Sequence, residues 1–125
     1  MAVTNQTLID TSFKTVIKTV SDNAANSAVS ILDASAISLA DTNPRVSIAK
    51  IWYSINTANN KSAVEILWDG ATNATALVLS GNGYWVLRTA GDEITNNATT
   101  PSGDILLSTK NFAVGDNYTI IIEFR

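Results

Sequence analysis

The strongest constraint in this chain is alternation with a period of two, and it is cleanest near the C-terminal end. Tyr118, Ile120, Ile122 and Phe124 fall on one side of an extended chain, with Thr119, Ile121, Glu123 and Arg125 on the other. Successive side chains of a strand point to opposite faces, so this spacing predicts a strand with one buried face. Val64, Ile66 and Trp68 alternate in the same way with Glu65 and Asp69, and Phe13, Thr15 and Ile17 with Lys14, Val16 and Lys18. Residues 46–55 are apolar on both faces except at Ser47, Lys50 and Ser54, which predicts a central strand covered on two sides.

The turns divide the remainder. Thr75–Ser80 and Tyr84–Arg88 are apolar runs around Gly81-Asn82-Gly83, which predicts a hairpin, since Gly and Asn accept the positive φ of a tight reversal. A further strand is expected over 103–109, between Pro101-Ser102-Gly103 and Asn111, and Gly115-Asp116-Asn117 reads as the turn into the last strand. The Ala-rich stretch Ala24–Ala40 fits either a helix or two short strands around Asp33. Its β-branched residues and serines favour strands. Residues 1–11 are polar without a clear period and read as an extended N-terminal arm, free to add a strand to a neighbour's sheet or simply to fray. The expectation is an all-β chain of about eight or nine strands. It comprises the arm and one antiparallel, jelly-roll-like β-sandwich domain over 12–125.

Composition narrows the chemistry. The 125 residues contain neither cysteine nor histidine. Disulfides, thiolate metal sites and Ser-His-Asp or Cys-His catalysis are therefore excluded. Five lysines and three arginines are scattered singly in a chain of net charge -3, and a phosphate-tracking groove needs clustered cations, so no nucleic-acid partner is expected. No apolar run is long enough to span a bilayer, and no membrane role is expected. Residues 1–7 lack the basic and apolar regions of a signal peptide, so the expectation is synthesis and folding in the cytoplasm, or export by something other than its own signal. The Asn-x-Ser/Thr sequons at Asn5, Asn60, Asn73, Asn97 and Asn117 then read as unmodified.

Each candidate site has a plain structural reading. Asp92-Glu93 and Asp41 could contribute oxygens to calcium, but their spacing matches no calcium loop, and they read as solvated loop acids. Glu65, Asp69 and Glu123 are the strand acids available for a glycosidase pair, which would need two of them facing across a cleft. Gly81-Asn82-Gly83 lies between two strands, which excludes a dinucleotide loop. Trp52, Trp68 and Trp85 are expected in the core; exposed on one face they would form a sugar-stacking platform. No catalytic, cofactor-binding or metal-binding residue is assigned.

Four stretches carry a resemblance together: Ile66-Leu67-Trp68-Asp69-Gly70-Ala71-Thr72, Leu79-Ser80-Gly81-Asn82-Gly83, Gly103-Asp104-Ile105, and Gly115 through Glu123. From about Val29 to the C-terminus the chain resembles small virion structural proteins of tailed bacteriophages, of the kind that decorate or cement capsids. The resemblance rests on turn and strand patterns and carries over no site residue. It implies a β-rich, non-enzymatic protein on the capsid surface, with a major capsid protein or other virion protein as partner, and a homo-oligomer, often a trimer. The competing class is a carbohydrate-binding module. Tryptophan exposure discriminates: buried indoles favour the structural protein.

Overall fold

The computed structural model describes residues 3–11, 14–21, 29–32, 47–58, 61–87, 94–95, 97–113 and 115–125. Among these residues there is no helix. They form nine strands: β1 (Val3–Asp10), β2 (Thr15–Ser21), β3 (Val29–Leu32), β4 (Ile48–Asn56), β5 (Ala63–Thr72), β6 (Ala74–Leu79), β7 (Asn82–Val86), β8 (Thr99–Lys110) and β9 (Asn117–Phe124). Two antiparallel sheets result, one ordered β1-β2-β9-β4-β7 and the other β3-β8-β5-β6.

The pairing has a simple logic. β2 pairs with β9, β3 with β8, β4 with β7 and β5 with β6. The chain thus runs out along β2–β5 and back along β6–β9, like one long hairpin whose tip is the β5–β6 turn. Rolling this ribbon sets β9 against β4 and β8 against β5, which completes both sheets. At the tip, the Asn73 side-chain oxygen accepts the Gly70 amide at 3.2 Å. Asn supplies such local bonds readily in turns.

Alternation places the core where the pattern predicts it. Ile120, Ile122 and Phe124 of β9 face Val64, Ile66 and Trp68 of β5 across the interior, all essentially without solvent contact. Ile17, Ile48, Ile51, Ile55 and Tyr118 join them from the first sheet, and Leu77, Leu79, Ile105 and Leu107 from the second, in one cluster. Burial at this scale is the main source of stability for a chain without disulfides.

Four expectations need amendment. Gly81-Asn82-Gly83 does not close a hairpin, because β6 lies in one sheet and β7 in the other. Gly81, at φ +69°, carries the chain around a corner between sheets, and its carbonyl accepts the Ile55 amide at 2.9 Å. Positive φ bends the chain but does not choose its partner. Residues 3–10, read as an arm, are extended but paired within the chain as β1, at the edge of the five-stranded sheet. They lack a period because every described side chain from Thr4 to Asp10 is exposed. β4 is an internal strand of its sheet, yet its outer face is only partly covered: Lys50 and Ser54 there are half-buried, and Trp52 and Asn56 are exposed. The expected strand over 103–109 is longer, because Thr99–Lys110 pairs along β5 past an irregularity at Trp68/Gly70. Within Ala24–Ala40 the first expected strand is β3, and the second lies outside the described residues.

Candidate binding surface

Register defines the outward face of the five-stranded sheet row by row. One row runs Gln6, Lys18, Ile121, Trp52, Tyr84 across β1, β2, β9, β4 and β7. On one side of it lie Thr4, Val20, Thr119, Ser54 and Asn82, and on the other Ile9, Val16, Glu123, Lys50 and Val86. This side of β4 therefore reads Lys50, Trp52, Ser54, Asn56. That polar row was the available signal that Trp52 faces solvent.

Two of the three tryptophans depart from the core expectation. Trp68 is fully buried, whereas Trp52 is 39% exposed and Trp85 43% exposed. Trp85 stands opposite Ile51 and so faces the inner side, but β7 is an edge strand, where the interior opens to solvent. Trp52 and Trp85 thus point to opposite sides of the sheet and cannot share one platform. Trp52 is instead paired in register with Tyr84, which is 66% exposed. Beside Trp52 a shallow depression of about 220 Å³ is lined by Tyr53, Ser54, Gly83, Thr119 and Ile121. Its walls offer an aromatic ring and two hydroxyls.

The electrostatics of this face are those of a cationic rim around one acid. Glu123 is buried although it points away from the core. Arg125 Nε lies 3.1 Å from its carboxylate and Lys14 Nζ 3.9 Å away, and Lys50 stands opposite it on β4. A buried carboxylate needs such partners.

The strand acids are not brought together. Glu65 and Asp69 lie on the outward face of the four-stranded sheet, on the other side of the core from Glu123. At about 3.3 Å per residue they are separated by roughly 13 Å along β5. Each is engaged locally: Glu65 with Lys110 Nζ at 3.1 Å, and Asp69 with the Ser102 hydroxyl, which donates at 2.8 Å. Asp41, Asp92 and Glu93 lie outside the described residues. Among the described residues no three acids converge on a metal-sized site.

A second depression, of about 330 Å³, is lined by Asn56, Thr57, Ala58, Gly115 and Asp116. Its acid is structural. Asp116 is buried and its carboxylate accepts the Ala113 amide at 2.8 Å and the Ala58 amide at 3.3 Å, tying the β8–β9 turn to the end of β4.

Comparison with known proteins gives no match to a family model, a curated protein or a solved structure.

Proposed function

We propose that this chain is a non-enzymatic structural protein of a tailed-bacteriophage virion, a decoration or cement protein that binds the capsid surface as a homo-oligomer and stabilises it. The observation that carries the reading is the strand order. Pairing of β2–β5 with β6–β9, with β1 added at one edge, supports a jelly-roll reading of the two sheets. Jelly rolls recur in viral capsid and lectin domains. Fold alone does not fix function. The resemblance of residues 29–125 to phage decoration proteins, and a sequence without histidine or cysteine, favour the capsid role. A direct test is co-sedimentation of the purified chain with heads of the phage that encodes it, after the native copies have been stripped. Saturable binding is expected; heads that pellet without it overturn the reading.

A second reading has its own observation. Trp52 beside Tyr84, with Ser54 and Thr119 at the adjoining depression, offers the stacking surface and hydroxyls that a saccharide uses. In this reading the chain is a carbohydrate-binding module. Retention on immobilised polysaccharide that is lost in Trp52→Ala would favour it over the capsid role.

A further inference from the structure

Among the described residues the edges of the two sheets are β1, β7, β3 and β6, and β1, with eight residues, is the longest of them. Its described side chains are all exposed; the ladder joins it to β2, and the Asn5 side-chain amide donates to the Ser30 carbonyl at 3.2 Å. Holding residues extended costs conformational entropy, which burial ordinarily offsets. Natural edge strands are blunted by lysine, proline or inward charge, because their free backbone groups template pairing with another chain. Thr4 to Ile9 contains no lysine, proline or inward charge, the one charge in the strand is Asp10 at its end, and the one blunting irregularity falls at Thr7/Ile9. The register irregularity at Thr7/Ile9 leaves Val3–Thr7 as the regular stretch, with Leu8 and Ile9 exposed beside it.

We infer that Val3–Thr7 of β1 pairs antiparallel with the same stretch of a second copy of this chain, about a two-fold axis near Asn5, joining the two five-stranded sheets. This rests on the homo-oligomeric part of the reading above and names its contact. The stretch is its own complement. About that axis Thr4 opposes Gln6 of the partner subunit, Asn5 opposes its own counterpart, and Val3 opposes Thr7 of the partner subunit. Each Asp10 falls outside the paired region, so no charge meets its like. Main-chain hydrogen bonds supply the affinity, as in other strand additions, and an isologous contact of this kind closes at two copies.

The test is the mass of the full chain in solution, by sedimentation velocity over a concentration series, beside the double variant Thr4→Glu/Gln6→Glu, in which position 6 faces Lys18 of its own chain favourably. Both positions are exposed, and the variant sets like charges across the axis. The native chain should be a dimer. The variant should be a monomer at the same loading, with unchanged circular dichroism. Hydrogen exchange read on peptides covering residues 4–7 of the native chain gives an answer independent of the variant's folding: protection should rise with protein concentration. A native monomer, a trimer as the phage resemblance implies, a dimer indifferent to the substitutions, or protection independent of concentration would each overturn the inference. None of these results removes the virion reading, which is decided by binding to heads.

Discussion

Trp52 on β4 stands directly opposite Tyr84 on β7, while one position earlier Ile51 stands opposite Trp85. One step along a strand reverses the face. The two exposed tryptophans therefore belong to different surfaces, and the aromatic pair of the outward face is Trp52 with Tyr84. The tryptophan criterion gives a divided answer, one indole in the core and two at the surface, so the saccharide reading keeps a defined place on the molecule.

The three indoles should separate energetically. Trp68 is fully enclosed, so Trp68→Ala should cost about 3–5 kcal/mol of unfolding free energy. Trp52→Ala should cost clearly less than Trp68→Ala, because Trp52 is 39% exposed and keeps part of its ring in water. Urea titration of the two variants measures both, and equal losses would contradict the placement.

Gly83 has a steric reason to be glycine. A Cβ there would lie 2.8 Å from the Tyr53 hydroxyl and 3.1 Å from Cζ of its ring, because Tyr53 packs over it across the β4–β7 pair. Gly83→Ala should destabilise by about 1–3 kcal/mol through overpacking. In Tyr53→Leu the same substitution should cost less. A double-mutant cycle in chemical denaturation measures this coupling.

Two threonines on the inner side of β2 are over-polar for their positions. Thr15 and Thr19 are fully buried, and among the described residues neither hydroxyl has a hydrogen-bond partner. Removing an unsatisfied buried hydroxyl while keeping the shape is neutral or favourable. Thr15→Val and Thr19→Val should each leave the melting temperature unchanged or raise it, as scanning calorimetry would record.

Asp116 should behave in the opposite way. Its carboxylate serves two backbone amides at the end of the sandwich. Asp116→Ala leaves those donors without their partner and should cost about 1–3 kcal/mol. Hydrogen exchange should quicken at Ala58 and Ala113 in particular.

What was legible in the sequence follows from how local each signal is. Tyr118 to Phe124 and Val64 to Trp68 declare one buried face by alternation alone, and both strands lie in the core as expected. Gly81 declares a change of direction, but whether the next strand returns beside the last or crosses to the other sheet depends on β4, more than two dozen residues upstream. Thr4 to Asp10 gave no period because an edge strand exposed on all described positions has no face to mark. Trp52 was hidden by its own apolarity, although its neighbours Lys50 and Ser54 marked the outward row. The buried Thr15 and Thr19 are the reverse case, polar residues on a face that alternation assigns by chemistry.

The proposed place of this chain in a phage particle is decided by quantitative mass spectrometry of gradient-purified virions of the phage that would carry it. The chain should be present at a copy number comparable to that of the major capsid protein and should be lost when the capsid surface is stripped under conditions that leave the heads whole. Its absence from purified particles, with the chain recovered only from the lysate, would contradict the account.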